Sequence, residues 1–368
     1  MEVSAVENIK TIPTRSRPKV DFIVAPAPAE VKGRNKEKYE DIYTVKLEVK
    51  DNPDNLRKLQ EETNLENFRV DAILSNQNEL EVGQTLEDKL NNASQVYIVR
   101  GGWCSDKETL LQLANDILKV DSNGVVLMLD HPGQSKSGFI DSANIEITDE
   151  MASLEFLNSS VSKGMDMLGV SRENLLEKGK KVVEIYHSRS AAAGLLQVSD
   201  NPDVKQLFLA PVFGHEGIKP TIAKRLLPAI TLLGKVIYNK IPVLSESIAD
   251  PIRNLLIAAY SGKEHKEILP LYEFVFRYTD KRVLAKFFYN LTQVKMEEFQ
   301  KDIFDPKRHR VVVYGNDMFV DSVGMKDELQ RTMGEKAFKE CVEVQEGDHH
   351  AFLDVPKANK AAVDFATS

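Results

Sequence analysis

Short apolar runs alternate with helical patterns over residues 95–213 and again from 306 to 368. QVYIVRGG (Gln95–Gly102), GVVLMLD (Gly124–Asp130), KVVEIY (Lys181–Tyr186) and KQLFLAP (Lys205–Pro211) form the first set. HRVVVYG (His309–Gly315) belongs to the second, where the alternating ECVEVQE (Glu340–Glu346) reads as a further strand. Apolar runs of this length without polar alternation are strands covered on both faces. Separated by helices such as DKETLLQLANDILKV, with Leu110, Leu113, Ile117 and Val120 on one side and Asp106 as N-cap, and KDELQRTMGEKAF (Lys326–Phe338), read as one helix, they imply an α/β fold. The expected sheet is doubly wound, mostly parallel and of about eight strands. YTVKLEV (Tyr43–Val49) and FRVDAIL (Phe68–Leu74) would make its antiparallel edge, with DNPDNL (Asp51–Leu56) as the turn region between them.

Residues 1–40 mix proline and charge without periodicity and read as an arm, partly disordered or draped over the body. The core is assigned to 41–213 and 306–368. Residues 214–305 are far too long for a βα connection of about 2–6 residues, so they form an inserted helical cap. IKPTIAKRLLPAITLLGKVIYNKI (Ile218–Ile241) carries five basic residues and no acidic one, with Pro228 as a break. Such a helix could touch an anionic membrane, but a cap helix over the sheet is the favoured reading. Aromatics gather between Tyr260 and Tyr289, and some would line an apolar pocket.

At 368 residues and a formal net charge of -8, the chain has no electrostatic footprint for nucleic acid. No apolar stretch suffices for a bilayer span, and the start lacks a secretory h-region. Cys104 and Cys341 are too few for a disulfide framework, so a cytoplasmic location is expected.

In an open α/β sheet, ligands bind outside the carboxyl ends of the strands. The residues there are Arg100-Gly101-Gly102-Trp103, Asp130-His131-Pro132-Gly133, Tyr186-His187-Ser188-Arg189-Ser190, Gly315-Asn316-Asp317 and Gly347-Asp348-His349-His350. A serine, an aspartate and a histidine occur in that order. A serine hydroxyl needs a base, a histidine titrates near neutrality, and an aspartate can hold that histidine in one tautomer.

The strand–serine–helix junction VVEIYHSRSAAAGLL resembles the nucleophile elbow of the α/β-hydrolase fold superfamily. DHPGQSKSGF is similar to its D-x-P-G-x-G-x-S stretch, with Ser135 in place of the second glycine. YGNDMFVD and GDHHAFLDVP resemble its acid loop and its histidine segment; His349 lies seven residues before Pro356, which selects it over His350. The likeness covers roughly residues 40–368 and is nearest to cap-bearing esterases and lipases.

The resemblance implies Ser188 as nucleophile, His349 as base and Asp317 as its partner, with Asp321 the rival acid. Backbone amides of Gly102 and Arg189 would form the oxyanion hole, with Trp103 as fallback donor. Trp103, His187 and Tyr186 would flank the substrate, though His187 is usually structural in such proteins. The implied activity is hydrolysis of a carboxylic ester with an apolar moiety, ahead of an amide or thioester, through an acyl-enzyme and without cofactor or metal. Acyl transfer with the same residues, or a catalytically silent binding protein, are the alternatives. The second rests on Tyr186, which stands where the family prefers a small residue. A bland reading of Ser188 is a helix N-cap. Asp130 would anchor a loop, and Arg100 and Arg189 would be surface ion-pair partners or carboxylate clamps.

Overall fold

A computed structural model describes residues 10–12, 22–26, 42–76, 84–103, 107–134, 137–141, 145–212, 217–219, 279, 281–291, 294, 303–317, 319–347, 349 and 356–368. Its strands are β1 (Lys10–Ile12), β2 (Phe22–Pro26), β3 (Ile42–Glu48), β4 (Arg69–Ser75) and β5 (Val96–Arg100). β6 (Val125–Leu129), β7 (Val182–His187), β8 (Val204–Leu209), β9 (His309–Tyr314) and β10 (Val342–Gln345) complete them. All belong to one sheet in the order β1-β2-β3-β4-β6-β5-β7-β8-β9-β10. Pairing is antiparallel from β1 to β6 and parallel from β6 through β10. The eight strands from β3 onward are the expected sheet. The two extra strands come from the arm, which adds an antiparallel hairpin to the edge.

Alternation within each central strand shows why the runs are apolar throughout. Val96 and Ile98 of β5 join one buried cluster, and Tyr97 and Val99 join the other. Val125, Leu127 and Leu129 of β6 likewise oppose Val126 and Met128. Helices cover both faces. They are α1 (Pro53–Thr63), α2 (Leu86–Asn92), α3 (Leu111–Val120), α4 (Leu154–Met167), α5 (Arg172–Glu177) and α6 (Arg189–Leu195). α7 (Lys281–Leu291), α8 (Ser322–Met333), α9 (Glu335–Cys341) and α10 (Pro356–Thr367) complete the set.

Three local expectations are corrected. DNPDNL is not a turn; it opens α1. Asn52 Oδ1 accepts the amides of Asp54 and Asn55, and Pro53 takes the first helical position, where its missing N–H costs nothing. The pattern of α1 was illegible because only Leu59 and Thr63 are buried. KDELQRTMGEKAF is two helices, because Gly334 takes a φ of 80° between α8 and α9. Val120, expected on the buried face of α3, is 64% exposed at the helix end, whereas Leu110, Leu113 and Ile117 are fully buried. The expected cap at Asp106 lies outside the described residues, as do His350 and most of the inserted segment, including its basic stretch beyond Lys219. No helix among the described residues is long and apolar enough to cross a membrane.

The crossing order of the strands places the site. The chain leaves β5 toward β6 on one side, and β7 leads to β8 on the other, while β5 and β7 themselves pair. Such a reversal opens a crevice at the carboxyl ends of the two paired strands. Arg100 is level with Tyr186 in that pair. Continuing the count brings Gly102, after β5, opposite Ser188, after β7.

Candidate active site

Ser188 sits between β7 and α6 with φ 56° and ψ -120°, a conformation that a non-glycine residue holds only against strain of about 1–3 kcal/mol. It does not cap α6: its side chain accepts no helix amide. Its Oγ instead lies 2.9 Å from His349 Nε2, and His349 Nδ1 lies 2.7 Å from Asp317 Oδ2. An ionised carboxylate only accepts, so Nδ1 carries the proton and Nε2 is left to accept from the serine hydroxyl. Asp317 is fully buried, and its other oxygen accepts the amides of Phe319 and Val320, both at 2.8 Å. Together these hydrogen bonds hold the three side chains in one geometry. The rival Asp321 serves α8, where its side chain accepts the Val323 amide as a cap.

The loops bearing these groups are fastened to one another. Gly315 N donates to the Gln345 carbonyl at 2.6 Å and Asn316 N to the Gly347 carbonyl at 2.8 Å, bringing the ends of β9 and β10 together. His187, the last residue of β7, donates from Nε2 to the His349 carbonyl at 2.9 Å. Burial, and then the neighbouring His349, hold its pKa well below the usual histidine range, so it acts as a neutral tie. Expected beside the substrate, His187 is instead a buried support of the loop that presents His349.

Tyr186 is also corrected. Its ring does not face a ligand; it is buried under α6, stacked on Phe208 at 5.4 Å and covered by the Arg100 guanidinium at 4.9 Å. The room comes from Gly194: a Cβ there would stand 2.9 Å from Tyr186 Cδ1 and 3.0 Å from Phe208 Cε1. Bulk two residues before the serine is matched by a missing side chain on the helix after it. Alanine at 194 should favour the helix by up to about 1 kcal/mol, yet overpacking costs about 1–3 kcal/mol. Gly194→Ala is therefore expected to lower the denaturation midpoint. An unchanged or raised midpoint would show that Tyr186 has slack.

Arg100 and Arg189 are neither surface partners nor clamps. Arg100 reaches buried Glu184 at 3.5 Å, and Glu184 also meets Arg172 at 3.2 Å and Gln206 at 2.8 Å. Burial alone would raise the Glu184 pKa, but the two guanidinium charges reverse it and hold the group below the ordinary carboxylate range. Arg189 is buried, donating to His131 Nε2 at 2.8 Å and to the carbonyls of Ala152 at 2.7 Å and Ser153 at 3.3 Å. Its guanidinium lies 4.0 Å from the ring centre of Phe287 on α7. An arginine only donates, so His131 accepts at Nε2 and gives its Nδ1 proton to the Pro132 carbonyl.

Gly102 is where the strand register puts it. A Cβ at this residue would lie 2.5 Å from Ser188 Cβ and 3.0 Å from Ser188 Oγ, so only glycine lets this turn approach the hydroxyl. Trp103 turns its indole N–H to the Leu284 carbonyl of α7 at 2.7 Å. Phe319 packs edge-on to His349 at 5.2 Å.

Two partnerships escaped sequence reading. Lys107 bridges Asp71 at 3.1 Å and Asp130 at 3.2 Å, deep in the protein, and Arg69 pairs with the same Asp71 at 2.9 Å. Asp130, expected as a loop anchor, is placed in this network. Ser190 donates its hydroxyl to the Gly101 carbonyl. Among the described residues no group of three or more His, Cys, Asp or Glu side chains is gathered as for a metal ion.

No protein-family model matches the sequence, and no curated protein matches it. Solved structures do resemble the fold. An enol-lactonase from Burkholderia xenovorans is 16% identical, with a TM-score of 0.52 over 82% of this chain and 97% of that one. A hydrolase from Oleispira antarctica is 15% identical, with a TM-score of 0.51 over 77% of this chain and 98% of that one. An N-acyl homoserine lactonase, complexed with N-hexanoyl homoserine, is 16% identical, with a TM-score of 0.50 over 81% and 91%. With the strand order, the parallel half-sheet and the strained serine between β7 and α6, these likenesses establish that the chain has the α/β-hydrolase fold.

Proposed function

We propose that the protein is a serine hydrolase acting on carboxylic esters of small molecules. The observation that carries this reading is the chain Ser188–His349–Asp317, with contacts of 2.9 and 2.7 Å, built on a serine that does not cap its own helix. The neighbours named as an enol-lactonase and an N-acyl homoserine lactonase handle cyclic esters by name, which supports the same bond class.

In this mechanism Ser188 Oγ attacks the ester carbonyl while His349 Nε2 takes the hydroxyl proton. The imidazolium that forms is stabilised by Asp317 across the 2.7 Å contact. Negative charge develops on the former carbonyl oxygen, which the backbone amides of Gly102 and Arg189 receive. Arg189 occupies the first position of α6, where a backbone N–H has no intrahelical acceptor. The tetrahedral species collapses, the ester C–O bond breaks, and His349 gives its proton to the departing alcohol. Water then repeats the sequence on the acyl-enzyme, releasing the carboxylic acid and restoring Ser188.

Residues 214–305 act as the cap in this reading, with α7 as its described portion over the site. Phe319 edge-on to His349, Phe287 against the Arg189 guanidinium and Trp103 next to Gly102 support an apolar surround, so the favoured ester carries an apolar acyl or alcohol part. Water exclusion by such a surround strengthens the oxyanion contacts. In a series of p-nitrophenyl esters from acetate to octanoate, kcat/KM is expected to rise with the longer chains. A flat or acetate-favouring series would remove the apolar preference, and no turnover of any member would remove the hydrolase reading.

A further inference from the structure

We propose that Ser190, two residues after the nucleophile, is a positioning residue for the oxyanion hole. The inference rests on the hydrolase reading and deepens it. Ser190 is buried, and its hydroxyl donates to the carbonyl oxygen of Gly101. That carbonyl and the Gly102 amide are two ends of one peptide unit. The unit is planar and trans, so its C=O and N–H point in opposite directions and cannot turn independently. Fixing the carbonyl from α6 therefore fixes the direction of the Gly102 N–H, the donor assigned to the oxyanion.

The surrounding geometry gives this tie its leverage. The space a Cβ would need at Gly102 is already closed by Ser188 Cβ at 2.5 Å and Ser188 Oγ at 3.0 Å, so the turn is held against the nucleophile. A glycine pair, Gly101-Gly102, has few steric limits of its own on the peptide between them. An external contact must choose its orientation. Trp103, the next residue, is fixed separately through its indole N–H to Leu284. Ser190 and Ser188 sit on the same strand–helix junction, so nucleophile and donor are set from one rigid piece. A small residue at position 190 satisfies packing, but alanine would satisfy packing equally. The hydroxyl is what the peptide requires.

Deleting a donor outright typically costs about 10²–10³ in rate, and releasing its orientation should cost less, about tenfold in kcat. The test compares wild type, Ser190→Ala and Ser190→Thr with the preferred p-nitrophenyl ester and with an aryl trifluoromethyl ketone. The ketone forms an anionic adduct on the nucleophile. Expected for Ser190→Ala are a kcat about tenfold lower, KM within twofold, a ketone Ki raised in step with the lost kcat, and recovery in Ser190→Thr. A kcat and Ki within twofold of wild type in Ser190→Ala would overturn the proposal. So would losses that follow the folded fraction in a thermal melt, because a packing defect predicts those. Failure of the underlying reading looks different: wild type itself would neither hydrolyse the ester nor bind the ketone.

Discussion

Ser188→Ala and His349→Ala should each lower kcat for the preferred ester by about 10⁴–10⁶-fold, and the double variant by scarcely more. The two side chains share one proton across a 2.9 Å contact, so once either is gone the other has nothing left to do. Asp317→Asn should cost about 10⁴-fold by a different route. Its amide can present N–H to His349 Nδ1, which favours the tautomer whose Nε2 bears the proton and cannot accept from Ser188. KM should stay near wild type in all three, because none of these groups is assigned to hold the substrate's apolar part. Steady-state kinetics on the purified variants measure this. Losses that multiply in the double variant would mean that the serine and histidine act independently.

Lys107→Met should destabilise the fold by about 3–5 kcal/mol, the typical cost of removing one member of a buried ion pair. Lys107, Asp71 and Asp130 are almost wholly buried, and the lysine joins the two carboxylates through contacts of 3.1 and 3.2 Å. Burial by itself would raise the Asp71 pKa; the charges of Lys107 and then Arg69 overcome it and hold the pKa below the usual carboxylate range. A carboxylate depressed in the folded state stabilises the protein above its unfolded pKa, and that contribution fades as pH falls through the folded value. The gap between wild type and Lys107→Met should therefore be widest near neutrality and narrow in acid. Urea titrations at pH 7 and in steps below about pH 4, where the depressed carboxylate takes up its proton, supply the numbers. Equal midpoints at pH 7 would show that the network contributes nothing, and a gap that widens in acid would have the wrong sign.

The central strands could be read from the chain because β5 through β9 are covered on both faces and leave a continuous apolar signature. The three side chains of the candidate site could be picked out for a related reason: Ser188, Asp317 and His349 each come after a strand, and the strand ends of an open sheet are where ligands bind. What stayed hidden depends on which strands become neighbours. Gly194 and Tyr186 are eight residues apart, and nothing local says that the ring needs the glycine's space. A tyrosine before the serine with a glycine in the following helix is the signal that could have suggested it. Lys107 and Asp71 look like ordinary surface charges, and Asp130 like a loop anchor, until β4 and β6 pair and bring the two aspartates together. Arg189 reads as a solvent-facing cation at a helix start, yet the chain folds carbonyls, an imidazole and a phenyl ring around it. α1 was lost because Asn-Pro serves a turn and a capped helix equally well.

Mass spectrometry of the intact protein after a fluorophosphonate probe, with the adduct mapped by peptide sequencing, puts the central chemistry to a direct trial. One equivalent on Ser188, absent from Ser188→Ala and strongly slowed in His349→Ala, is the outcome required of a hydroxyl activated by its neighbour. A folded protein that takes up no probe, or takes it up at another residue, would mean that the strained serine is not a nucleophile.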